Sequence, residues 1–155
     1  MKSFDNIIFN LFCALSFFSF GTAMMDYFLV YPSRAIIGAR EFVEYHALLE
    51  RAILPVSVVP FFIITILNII LLWVKSFKVN RWLLVGSLIC LVLDWISSIF
   101  IQIPMNLELN HGKNLDLIQA VMDTNWGRIF LESLQAILVF LMMMRSGNGQ
   151  AVQYP

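Results

Sequence analysis

Four long apolar stretches, Ile7 to Val30, Ala52 to Val74, Trp82 to Ile103 and Ile129 to Met144, fill most of the chain between positions 7 and 144. Each comes close to the roughly 20 residues that an α-helix needs to cross the hydrocarbon core at about 1.5 Å rise per residue. The pattern predicts an all-α fold, an integral membrane antiparallel four-helix bundle. Its transmembrane domain covers 1–145, with spans at about 7–30, 47–74, 82–103 and 127–144 and a helical entry segment before the second. A tail at 146–155, rich in Gly, Gln and Asn, is expected to be disordered.

Composition narrows the class further. A chain that is 60% hydrophobic and 13% charged, with a mean hydropathy of +0.82, is neither an ordinary soluble domain nor a disordered one. The formal net charge of +0 and the lack of a dense Lys/Arg block argue against a nucleic-acid partner. The partner to expect is the lipid bilayer. Cys13 and Cys90 both fall inside apolar spans without a C-x-x-C pair, which argues against dithiol redox chemistry and against a disulfide. At the amino end, Lys2, the apolar run and Gly21-Thr22-Ala23 imitate a secretory signal. The run continues to Val30 and Asp5 weakens the basic region before it, so a retained span is expected.

Three connections separate the spans, each marked by helix-stopping residues. The first starts at Tyr31-Pro32-Ser33-Arg34 and leads into a helical entry over 41–46; the second is the short basic segment 75–81. The third, Pro104 to Asn125, is the longest and most polar, with Asn106, Glu108, Asn110, His111 and Lys113. Alternating spans put the first and third connections on one membrane face and both termini on the other. Lys/Arg counts of the two faces tie, until Arg51 and Arg128 are read as helix residues near the rim. The remaining bias predicts cytoplasmic termini, in the plasma membrane. Pro55 and Pro60 lie inside the second span, where they remove backbone donors and favour a kink.

The spans carry groups that lipid-facing helices avoid. Asp26, Glu50, Asp94 and Glu132 lie within or at the rim of the apolar stretches, where ionisable groups are expensive and usually functional. Helical spacing groups them: His46 with Glu50 and Ser57, Asp94 with Ser98 and Gln102, Arg128 with Glu132 and Gln135, Thr22 with Asp26. Measured from the terminal face, Asp94 and Glu132 fall about 18 Å deep, with Asp26 and Arg128 about 5 to 10 Å farther. One buried cluster is therefore expected, suited to a proton-carrying carboxyl unless Arg128 neutralises it. The functional reading is a pocket open to the polar end, with His46 as base and Glu50 orienting it. The alternative is that the same groups hydrogen-bond the helices together, with the third connection binding a partner. His46 by itself reads as a histidine snorkelling to the interface.

A His-x-x-x-Glu pair with nearby carboxylates is compatible with a divalent metal, but only His46 and His111 are present and the Glu-x-x-His repeat of di-iron bundles is absent. No metal or other cofactor is required by the sequence. A transporter built from four spans with no evident repeat would have to self-associate, which keeps a homo-oligomer open.

Several short motifs carry a family resemblance. Tyr31-Pro32, then Phe42, His46, Arg51 and Pro55, then Ile103-Pro104-Met105-Asn106, then Asn125-Trp126-Gly127-Arg128 together resemble the anthrone-oxygenase-like family of small four-span membrane proteins. The resemblance covers roughly 10–144. It implies a four-helix membrane bundle and, for members in polyketide pathways, oxidation of an anthrone to an anthraquinone by molecular oxygen. It points to His46, Arg51, Asn106, Trp126 and Arg128, and departs from the family at Tyr31, Phe130 and Ser133. Combining motif and spacing, the expected catalytic residues are His46, Glu50, Asp94, Asn106, Arg128 and Glu132. Asn106 and Arg128 would donate to a developing oxyanion, and Asp94 or Glu132 would carry protons. Asp26, Arg51, Gln102, Trp126 and Gln135 are expected to contact a small hydrophobic or aromatic ligand.

Overall fold

A computed structural model describes residues 2–73 and 79–148. Among these the chain is all-helical, with no strand. Four helices are long and apolar enough to span a membrane: Phe4–Ile36, Phe42–Trp73, Arg81–Leu109 and Leu115–Ser146. Consecutive helices pack side by side, and the fourth closes back onto the first. The result is an antiparallel four-helix bundle. Cys13 and Cys90 are free and buried.

Three of the four helices contain one π-helical turn, at Asp26–Val30, Leu54–Val58 and Ser98–Gln102. Each has the same cause in the sequence. The N–H groups of Tyr31, Val59 and Ile103 reach back five residues, to the carbonyls of Asp26, Leu54 and Ser98. Immediately after them come Pro32, Pro60 and Pro104. A proline has no N–H to offer and its ring crowds the carbonyl four residues earlier. Widening the preceding turn relieves that crowding and keeps the helix continuous. The fourth helix has no proline before Asn148 and runs without a π turn from Leu115.

These turns change two boundaries from the sequence reading. Tyr31-Pro32 does not stop the first helix, which continues to Ile36. Most of 104–125 is helical as well: the third helix extends to Leu109 and the fourth begins at Leu115, where Asn114 Oδ1 accepts from the Leu117 N–H at 3.1 Å. Only a short turn joins them, with Gly112 at φ +142°, a conformation that side-chain-bearing residues rarely adopt. Apolarity had placed this segment outside the bilayer, and helices extend past the hydrocarbon. The fourth helix runs to Asn148. The rest of the expected disordered tail, 149–155, and residues 74–78 of the basic connection lie outside the described residues.

Two apolar cores hold the bundle. Near the termini, Phe9, Phe12, Ile64, Leu71, Leu91 and Met142 pack between the helices; at the other end, Tyr31, Phe42, Leu109, Ile118 and Val121 do. The outer surface is apolar too, with Phe28, Leu29, Phe100 and Phe130 exposed, as lipid requires. Trp73 and Trp82 are exposed at the ends of their helices, where an interfacial aromatic belt belongs.

Candidate functional site

Between the two cores lies a cavity of ≈ 390 Å³ lined by all four helices. That volume is in the range of small-molecule sites. The π turns shape its walls. On the second helix, Leu49, Ile53, Ser57 and Phe61 line it at four-residue steps. In a regular α-helix such a series drifts around the axis by about 40° per step. The wider turn holds it on one face. On the first helix, the extra residue in the turn brings Arg34, eight residues on, to the wall that Asp26 occupies.

The ionic centre joins the third and fourth helices. Arg128 Nε donates to Asp94 Oδ1 at 2.9 Å and Nη2 to Asp94 Oδ2 at 3.5 Å, and Nη2 lies 3.5 Å from Glu132 Oε1 one helical turn away. Arg128 and Glu132 line the cavity, and the fully buried Asp94 sits behind the guanidinium. A charge this far from water is tolerated when its partners are fixed in this way. Glu132 Oε2 has no hydrogen-bond partner.

A second network surrounds Asn106. Arg34, 2% exposed, donates from Nη1 to Asn106 Oδ1 at 2.6 Å and lies over the Tyr31 ring, 5.1 Å from its centroid. Asn106 Nδ2 donates to the Gln102 carbonyl at 2.8 Å. Its own carbonyl is free because the last turn of the third helix tightens, with the Asn110 N–H bonded to Leu107 instead. His46 takes that carbonyl: Nε2 donates to it at 3.0 Å, and the ring stacks on Phe42 at 5.7 Å. A carbonyl only accepts, which assigns the proton to Nε2.

Of the eleven sequence candidates, Asp26, Glu50, Gln102, Asn106, Arg128 and Glu132 line the cavity together. Asp94 and His46 reach it through Arg128 and Asn106. His46 is fully buried and not at the interface, and it is not on the cavity wall. Arg51 is exposed, and Trp126 is exposed against Tyr27 at 4.7 Å between ring centroids. Gln135 lies below the cavity, donating to Ser16 Oγ at 3.0 Å. The sequence reading missed Arg34, Tyr31 and Asn125, all buried and all on the wall. Reading helix through Pro32 is the signal that would have put Arg34 on the face of Asp26.

Further lining atoms want partners. Gln102 donates through Nε2 to Thr124 Oγ1 at 2.9 Å, and Thr124 passes its own proton to the Ala120 carbonyl. That leaves Gln102 Oε1 an unpaired acceptor, alongside Asn125 Oδ1, Glu132 Oε2 and the donor Arg34 Nε. Buried groups of this kind each cost about 1–3 kcal/mol unless something meets them. Both donors and acceptors are thus left unmet in the buried side chains that surround the cavity. No three His, Cys, Asp or Glu side chains are grouped as metal ligands among the described residues.

Fold and site together define a multi-pass membrane protein with a polar-walled cavity inside its bundle. Compared with protein-family models, curated proteins and solved structures, the chain matches none.

Proposed function

We propose that the protein is an oxidoreductase-like membrane enzyme of the anthrone-oxygenase type, acting on a small hydrophobic aromatic substrate held in the cavity. One observation carries the reading: the Arg128 guanidinium, fixed by Asp94, lines the cavity beside a Glu132 oxygen that has no partner. A substrate carbonyl that accepts from Arg128 or Arg34 makes the C–H conjugated with it, in an anthrone the CH2 across the central ring, more acidic, because the charge that develops on oxygen is stabilised. Glu132 is placed to take that proton. The electron-rich ring then reacts with molecular oxygen. For an anthrone, the two C–H hydrogens leave with one oxygen atom as water, and the other oxygen becomes the new carbonyl. In this scheme Asp94 holds Arg128, and Asn106 with His46 holds Arg34.

The expected localisation is the plasma membrane with cytoplasmic termini. Arg34 and Arg128 belong to the cavity wall, so the flanking count becomes Arg40, Arg51 and Lys113 against Lys2, Lys75, Lys78, Arg81 and Arg145.

The test is conversion of anthrone to anthraquinone under air by the protein in phosphatidylcholine vesicles, against protein-free vesicles. Glu132→Gln should slow the catalysed part by about 10²-fold, the usual contribution of a positioned base. Wild-type protein no faster than empty vesicles would sink the proposal. A non-catalytic reading has its own support: Asn68 donates to Ser87 Oγ at 2.8 Å and Gln135 to Ser16, both joining helices as buried amides do. Under that reading Asp94→Asn and Glu132→Gln lower only the stability of the detergent-solubilised bundle and leave ligand retention unchanged.

A further inference from the structure

The position of the cavity mouth is written in exposure. Among the lining residues, those on the outer surface are Leu54 at 57%, Val58 at 37%, Ile103 at 48% and Leu107 at 56%. All four are apolar, the first pair on the second helix and the other pair on the third. No lining residue of the first or fourth helix is comparably exposed. At this level the π turn of the second helix packs on the first helix and that of the third packs on the fourth, while the two turns do not pack on each other to a similar extent.

The gap has a frame. Below it, Phe61 and Trp95 meet at 5.3 Å between centroids and Trp95 Nε1 donates to Thr65 Oγ1 at 3.1 Å. Above it, His46 donates to the Asn106 carbonyl and Asn110 Nδ2 to Glu50 Oε1 at 3.2 Å, again joining the second and third helices. The route through the polar end is covered. There Tyr31, Phe42, Leu109, Ile118 and Val121 form a buried cluster, and Lys113 Nζ ties the two connections by donating to the Ala35 and Ile37 carbonyls at 2.8 and 2.6 Å.

Counting about 1.5 Å per residue from Trp73 and Trp82 puts this gap roughly 22 to 38 Å from the terminal-side interface, so that it straddles the far edge of a hydrocarbon core about 30 Å thick, with Leu54 and Val58 inside that edge and Ile103 and Leu107 at or just beyond it. The walls are polarised to match. Asp26, Arg34, Arg128 and Glu132 come from the first and fourth helices, opposite the gap; the one other acidic or basic lining residue among those described, Glu50 of the second helix, is held at the upper frame by Asn110.

We infer that the cavity opens sideways into the lipid through a window between Leu54, Val58, Ile103 and Leu107, and admits membrane-dissolved molecules polar end first. The occupant class is an uncharged apolar ring or chain with an oxygen-bearing end that meets the ionic wall while its apolar part fills the window. This deepens the proposed function by fixing the phase from which its substrate comes, and its test uses no turnover.

The probe is an uncharged phenyl diazirine dissolved in phosphatidylcholine vesicles containing the protein, photolysed and mapped by mass spectrometry. Lipid-facing Phe62 and Ile66 on the second helix label in every case and report a folded bundle. Through an open window, the buried wall residues Phe61 and Tyr31 label as well, and Leu54→Trp with Leu107→Trp lowers their labelling several-fold while Phe62 and Ile66 are unchanged. Unlabelled Phe61 and Tyr31 in the wild type, or wall labelling that survives both tryptophans, overturns the window. Anthrone turnover with a closed wall would retain the enzyme reading and remove only the window; a labelled wall without turnover does the reverse.

Discussion

Arg128 and Asp94 show how a charge is kept inside a membrane bundle. Neither group is independent: the guanidinium donates two bonds to Asp94, and Asp94 is 1% exposed with Arg128 as its partner. Removing Arg128 leaves Asp94 without its partner, and removing Asp94 leaves Arg128 only its 3.5 Å contact with Glu132; breaking such a buried pair typically costs about 3–5 kcal/mol, whereas exchanging both members for apolar side chains of similar size is often neutral. Asp94→Leu alone should therefore lower the thermal midpoint in detergent sharply, and Asp94→Leu with Arg128→Met should regain most of the loss once Glu132→Gln also removes the carboxylate that Arg128 faces. Ligand retention should stay lost in both, because the combined variant repairs packing and not the wall. Full stability in the single variant would mean that the pair holds nothing. Asn106 works by the same logic with neutral groups, its two amide atoms and its carbonyl each bonded to a different residue. Its Oδ1 holds Arg34, while Nδ2 gives one of its two N–H groups to the Gln102 carbonyl.

At the scale of the helix, each π turn trades regularity for wall space. Pro104→Ala supplies an N–H to position 104 and removes the ring that crowds the Phe100 carbonyl, so the third helix can relax to regular α geometry. The expected outcome is a higher thermal midpoint with weaker binding or slower turnover, since Ser98 and Gln102 rotate off the wall. Unchanged activity with a raised midpoint would separate the π turn from function. The same turns decide what could be read beforehand. The four spans, their order and the all-α bundle were legible, because apolar length alone dictates them. The convergence of Asp26, Glu50, Gln102, Arg128 and Glu132 was legible from helical spacing. Arg34 was not, because Pro32 reads as a stop when the π turn that accommodates it is invisible in sequence. Nor was the helical nature of 104–125, since polar composition marks exposure to water and says little about whether the backbone stays helical outside lipid.

The whole molecule divides along its long axis into a filled end near the termini and an opposite end that is hollow beneath its own small core. At the terminal end, Phe12, Ile64, Leu91 and Met142 are packed with almost no exposure. Lipid is as apolar as these side chains, so what holds them is close packing and not escape from water. Ile64→Ala should then cost about 2 kcal/mol, the low end of the 2–5 kcal/mol typical of soluble cores, because the transfer contribution largely vanishes and the packing loss remains. Ala23 and Ser57 face the cavity at the hollow end. Enlarging them with Ala23→Leu or Ser57→Leu adds contacts in place of empty space, so the bundle should melt no lower than wild type while its capacity for a hydrophobic ligand falls. Thermal unfolding in one detergent, with bound small molecules measured by mass spectrometry, checks both ends together. If Ser57→Leu melted as low as Ile64→Ala, the hollow end would be as tightly filled as the other, and the polar groups around it would be packing residues and no binding site.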